Sequence, residues 1–126
     1  MPALSFKTRF EPHIRSGRKR HTIRDKRKRP WKVGDKLYLF TGMRTKACKR
    51  IMNTECVKVE DITIRKHLQP DSDDATNRFE VAVDGVGLES DEKQSLAYAD
   101  GFESFEEMME FWDGRLPFKG DLIHWK

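Results

Sequence analysis

The spacing of apolar residues changes along this chain, and that change constrains the fold more than any other feature. Up to about residue 84 the apolar positions form short alternating runs bounded by turn residues; after it they recur at helical spacing. Leu4 and Phe6 alternate with polar neighbours and predict a first strand. Pro12 suits the first turn of a helix and Gly17 its exit, so residues 11–16 are expected to be a short helix. Thr22-Ile23-Arg24 is strand-like, and Val33-Gly34-Asp35 is a turn feeding a strand to Phe40. Two more strands are expected at about 54–65 and 78–84, the second with Phe79, Val81 and Val83 on one face. Gln69-Pro70-Asp71-Ser72-Asp73-Asp74 between them is a polar, acidic loop.

The C-terminal part follows the other period. Ser90-Asp91-Glu92 opens a helix that Asp100-Gly101 closes. Ser104-Phe105-Glu106-Glu107 is a capping box, in which Ser104 accepts from the amide of Glu107 and the Glu107 carboxylate reaches back. Phe105, Met108, Met109 and Trp112 then fall at i, i+3, i+4 and i+7, an apolar stripe that must face a core. Gly114 and Pro117 end this helix. Phe118 to Trp125 is a last strand, with Gly120-Asp121 expected as a turn. Five or six short strands with helices early and late predict a small α+β barrel of two or three helices, closed to protect its edges and open at its mouth to a ligand.

The chain has 126 residues, which suits one domain spanning 1–126. No apolar run approaches the ~20 residues of a membrane span. The start lacks the layout of a signal peptide, so a cytoplasmic protein without a membrane partner is expected. Cys48 and Cys56 have no zinc spacing and suit reduced thiols, with a disulfide across a hairpin as the alternative. The histidines share no metal-ligand spacing, and neither a metal nor a cofactor is indicated.

Charge is divided unevenly. Residues 1–50 carry 17 Lys/Arg against 3 Asp/Glu, a net of +14; residues 51–126 carry 8 against 18, a net of −10, which together give the overall +4. Nine basic residues fall between Arg15 and Arg29, opposed only by Asp25. Such a patch concentrates phosphate-bearing partners, which points to RNA, a nucleoside or a nucleotide. The alternative is a surface that neutralises itself when folded.

The residues with chemistry to offer lie in the same stretch. Lys19 and Thr22 are three apart and could meet across a turn. Threonine needs a base to become a nucleophile, and lysine serves as one only when burial or neighbouring cations lower its pKa, as Arg18, Arg20 and Arg24 would. Arg24 or backbone amides could hold an oxyanion. His21 is a second candidate base, for RNA cleavage. Lys26-Arg27-Lys28-Arg29-Pro30 is an exposed cationic loop, and Arg44 and Lys46 add to the basic set. Trp31 either stacks on a base or plugs the barrel end, with Pro30 beside it favouring the plug; Trp112 and Trp125 suit the core. The residues equally suit a reading without catalysis, in which Lys19 and Arg24 contact phosphates and Thr22 simply suits a strand.

Gly17-Arg18-Lys19, Thr22-Ile23-Arg24-Asp25, Gly34-Asp35-Lys36-Leu37 and Asp100-Gly101-Phe102 with Ser104 and Glu107 together resemble the ASCH domain, a PUA-like β-barrel family linked to RNA metabolism. The likeness runs from about Ser5 to Trp125. Thr41-Gly42-Met43-Arg44-Thr45-Lys46 is similar to a version of the domain found in phage or prophage proteins. The resemblance implies a cleft that handles nucleic acid or a nucleoside. One bacterial branch of the family hydrolyses N4-acetylcytidine to cytidine and acetate with a lysine, a threonine and a glutamate, which fall here on Lys19, Thr22 and Asp100. Other members are associated with RNA binding or cleavage. Arg20-His21 and the shorter Asp100 depart from that branch. Non-catalytic RNA binding, a ribonuclease, and a protein-interaction module using the acidic C-terminal half stand as alternatives.

Overall fold

The computed structural model describes residues 3–66 and 78–126; the expected acidic loop at 69–74 lies outside them. Seven strands form one mixed sheet: β1 (Ala3–Phe6), β2 (His21–Asp25), β3 (Lys36–Thr41), β4 (Lys49–Lys66), β5 (Phe79–Val83), β6 (Val86–Gly87) and β7 (Phe118–Trp125). Among the described residues there are three α-helices, α1 (Glu11–Ser16), α2 (Ser90–Ala99) and α3 (Phe105–Trp112), and a 3₁₀ turn at Thr8–Phe10. The class is α+β, as expected, but the closed barrel of five or six strands is not formed.

The long β4 explains the difference. Its first part pairs with β3, and its later part with β7 on one side and β5 on the other. The pairing slips at Leu39/Phe40 and again at Cys56/Lys58. Buried side chains accordingly change parity along the strand, from Ile51 to Cys56, Ile62 and Ile64. A one-residue irregularity re-aims a strand in this way and lets it serve two parts of a curved sheet. β1 ends one arm, paired in parallel with β3, and β2 ends another, paired with β7. No backbone ladder joins β1 to β2 among the described residues. Across the seam Arg24 Nη2 donates to the Ser5 carbonyl at 2.7 Å.

The helices form for the reasons legible in their sequence. Pro12 sits in the first turn of α1, and Gly17 ends it at φ +86°. Ser104 Oγ accepts the Glu107 amide at 3.1 Å, so half of the expected capping box is present. The Glu107 carboxylate does not reach back; it pairs with Arg9 instead. At α2 it is Glu92 that accepts the Glu89 amide, at 2.9 Å. The stripe Phe105, Met108, Met109 and Trp112 is wholly buried, packed in a core with Leu4, Leu37, Leu39, Ile62, Ile64, Val81 and Ile123. Trp31 and Trp125 are buried too.

Gly120 and Asp121 are not a turn. They lie inside β7, opposite Asp25 and Arg24 of β2 and Ile62 and Asp61 of β4. Glycine is needed there because a Cβ would strike the Arg24 carbonyl and the Phe118 ring. Cys48 is exposed and Cys56 buried, both as free thiols. Among the described residues no helix is long and apolar enough to cross a membrane.

Candidate functional site

A cavity of about 480 Å³ opens at the seam between β1 and β2. β1 contributes Ser5 and Phe6, β2 contributes Thr22 to Asp25, and the segment closing α2 contributes Asp100 and Phe102. Its volume falls in the range that takes small organic ligands, roughly 300–1,000 Å³. The inner wall is aromatic, with Phe6, Phe10, Phe102 and Phe111.

Local structure explains why two charged groups meet here. After α1 the left-handed Gly17 reverses the chain, and the Lys19 amide bonds the His13 carbonyl at 2.9 Å. At the end of α2, Gly101 takes φ +104°, its amide bonding the Tyr98 carbonyl while that of Phe102 bonds Ala97. This is a Schellman ending, which needs a residue free of the Cβ penalty at that turn. Gly101 also lets Phe10 approach, since a Cβ would lie 2.7 Å from its ring. The two turns bring Lys19 Nζ to 2.7 Å from Asp100 Oδ1 and 2.7 Å from the Asp100 carbonyl.

Both groups are almost sealed, Lys19 at 4% and Asp100 at 6% exposure. Burial pushes the Lys19 amine below its ordinary range; Asp100 opposes the shift and Arg24 adds to it. Arg18 and Arg20, expected to act in that way, are turned elsewhere. For Asp100, burial alone would raise the pKa, but Lys19 and His21 outweigh it and hold the carboxyl ionised below its ordinary value. Lys19 uses two of its three possible donor hydrogens on Asp100 and stands 5.1 Å from the Phe10 ring centre.

Lys19 and Thr22 line the same cavity, but their side chains make no hydrogen bond to each other. Thr22 Oγ1 instead accepts from Arg24 Nε at 3.1 Å. Burial lowers the Arg24 pKa, with Asp100 opposing it. The bond occupies one lone pair of the hydroxyl and leaves its proton free to be donated elsewhere.

His21, the second candidate base, is not a surface residue. It is 6% exposed and does not line the cavity. Its Nε2 lies 3.2 Å from Asp100 Oδ1 but makes no aligned hydrogen bond. Behind it His124 packs edge-on, ring centres 5.6 Å apart, and His124 Nε2 lies 2.6 Å from Glu60 Oε1. The imidazole therefore backs the Lys19–Asp100 pair from the interior.

The basic set divides in three. Lys19 and Arg24 enter the cleft. Arg18 clamps the end of α2, donating to the Tyr98 and Phe102 carbonyls and stacking on Tyr98 at 3.6 Å, while Arg20 bonds the Gly17 carbonyl. Lys26 pairs with Asp61 and Asp121, and Arg27 lies 3.5 Å from the centre of the Trp31 ring, which is buried and so offers no stacking face. These four cations were expected to contact ligand, yet internal partners hold them; for Trp31, burial agrees with a plug rather than a stacking platform. Lys28, Arg29, Arg44 and Lys46 are exposed on loops outside the cavity, with no ion-pair partner among the described residues. Sequence reasoning missed the aromatic wall and Arg115, because their roles depend on segments that meet only in the fold. Among the described residues there is no cluster of three metal-ligating side chains.

The buried groups make stability depend on pH with a definite sign. His124 is held below its ordinary 6.5, chiefly by burial, with His21 and Lys58 adding to the effect and Glu60 opposing it. Asp100 is held below 3.8. In both cases the unfolded chain binds more protons on acidification, so stability falls as pH drops through the interval below each ordinary value. The melting temperature is expected to decline from pH 7 toward pH 5, with a second decline below about pH 4. His124→Gln should flatten the first decline and leave the second; an unchanged first slope would assign it to other groups.

Comparison of the chain with protein-family models, with curated proteins and with solved structures gave no match in any of the three.

Proposed function

We propose that the cleft takes a nucleobase or nucleoside and that Lys19, Thr22 and Asp100 hydrolyse a small amide on it, with N4-acetylcytidine as the type of substrate. The observation that carries this reading is the buried Lys19–Asp100 pair on the wall of an aromatic cavity, with a guanidinium-bound threonine in the same lining. The motif resemblance to the ASCH domain points the same way. Aromatic walls suit the faces of a planar base.

The chemistry balances with these groups. Lys19, whose burial eases the loss of its own proton, takes the proton of Thr22 Oγ as that oxygen attacks the acetyl carbon. Arg24 stabilises the negative oxygen. The C–N bond then breaks, and the Lys19 ammonium returns the proton to the leaving amine. Water hydrolyses the acetyl-threonine ester with the same amine as base, releasing acetate. Asp100 orients the amine throughout.

Incubating the protein with N4-acetylcytidine and separating the products by chromatography tests the reading. Cytidine and acetate are expected in equal amounts, at a rate that barely depends on salt because the substrate is uncharged. Thr22→Val should reduce turnover by about a hundredfold or more while the fold is retained, and Thr22→Ser should keep a measurable rate. Absence of turnover by the wild-type protein overturns the hydrolytic reading.

A second reading is non-catalytic RNA binding through Lys28, Arg29, Arg44 and Lys46, favoured by their exposure without carboxylate partners among the described residues. It requires binding that weakens steeply as salt rises, with a slope set by the number of phosphates contacted.

A further inference from the structure

We infer that the rim of the cleft holds a phosphate, so that a nucleotide binds more tightly than the nucleoside alone; the inference rests on the cleft being a nucleobase site. Two cations from distant parts of the chain converge there on one ring. Lys7 Nζ lies 5.2 Å from the Phe111 ring centre, and Arg115 Cζ lies 4.9 Å from it. Both line the cavity, and both are exposed, whereas Lys19 and Asp100 are sealed in its wall. The two cations therefore mark the outer end of the cavity and the neutralised pair its inner end.

Their partners make the rim unusual. Arg9, Arg15, Arg18 and Lys49 in the same region each reach a carboxylate. Among the described residues, Lys7 and Arg115 reach none: Lys7 lies over the Phe111 ring, and Arg115 over Phe111 and, at 6.0 Å, Trp112. Contact with a phenyl face is worth about 0.5–1 kcal/mol at an exposed site, and two like charges held on one ring also repel. An anion at the rim supplies the partner that neither cation finds among the described residues.

The rest of the lining leaves the same surplus. Lys19 and Asp100 cancel. That leaves Lys7, Arg24 and Arg115 against the single carboxylate of Asp25. Arg24 is engaged with Ser5 and Thr22, so Lys7 and Arg115 are the free donors. An apolar aromatic interior with a cationic rim matches a ligand with a flat base at one end and a phosphate at the other. That phosphate belongs either to a mononucleotide or to an RNA backbone.

Calorimetric titration of the wild-type protein at low salt with cytidine, cytidine 5′-monophosphate and a short oligocytidylate tests this. The monophosphate is expected to bind about tenfold or more tightly than cytidine, a gain of ~1.4 kcal/mol. The Lys7→Ala/Arg115→Ala protein should bind the two alike, with cytidine affinity unchanged. Both side chains are exposed, and circular dichroism will show whether the fold is retained. An oligomer that binds no tighter than the monophosphate assigns the site to a mononucleotide; one tighter by a further order of magnitude assigns it to a chain, and either result sustains the phosphate site. Equal binding of cytidine and its monophosphate by the wild-type protein overturns the phosphate site and leaves the nucleobase site standing. Binding of none of the three overturns both.

Discussion

Lys19→Ala is expected to lower turnover of N4-acetylcytidine by about a thousandfold and to destabilise the fold by about 3–5 kcal/mol. The second effect follows from what the substitution leaves behind. Asp100 would stay buried without the amine that bonds both its carboxylate and its backbone carbonyl at 2.7 Å, left either charged without that partner or forced to take up a proton. A buried charge stripped of its partner is among the most damaging changes a core can suffer, whereas replacing both partners by apolar groups of similar size is often neutral. The double variant Lys19→Met/Asp100→Leu should therefore regain most of the lost stability while remaining inactive. That pattern separates a chemical role from a structural one, and urea denaturation with a product assay on the same preparations reads both. Activity surviving in Lys19→Ala would rule out the lysine as base; recovery of activity in the double variant would make the pair purely structural.

Gly120→Ala should be the most damaging single methyl addition, at about 3 kcal/mol and a fall in Tm of roughly 10 °C. The new Cβ would meet the Arg24 carbonyl, which is backbone and cannot swing aside, and the Phe118 ring at 2.5 Å. β7 is the strand through which β2 reaches the rest of the sheet, so β2 must move away from it. Thr22 and Arg24 lie on β2, and the cleft would widen or close with that movement. Gly87→Ala is the control: nothing lies within 4 Å of its Cβ, and its backbone is not left-handed. It should leave Tm within about 2 °C of the wild type. Similar effects at the two sites would mean that the close packing of β2 on β7 does not limit stability.

Much of the secondary structure was legible because it depends on contiguous residues. Pro12 and Gly17 bracket α1, Ser104 caps α3, and the four apolar side chains from Phe105 to Trp112 share one face at any helical spacing. Gly120-Asp121 misled for the same reason. The dipeptide has turn chemistry, but the glycine answers to a close approach by β2, which its neighbours in sequence do not record. The closed barrel failed on a similar point: a change of parity along β4 does not say which strand lies on each side of it or how far the sheet turns there.

The candidate site divides along the same line. Lys19, Thr22 and Arg24 are neighbours in the chain, so their types and spacing alone marked them for chemistry. Whether each faces the cleft, a partner or the core was settled by contacts with distant segments. Lys19 meets Asp100 across 81 residues of sequence, and Arg18 meets Phe102 across 84. His21 is buried because β2 lies on β7, which sets its ring against His124. Turn chemistry, capping and periodicity act within a few residues and were determined by the sequence itself. Burial, ion pairing and the pKa shifts that follow from them depend on which remote surfaces exclude water from a group, and only the tertiary structure decided those.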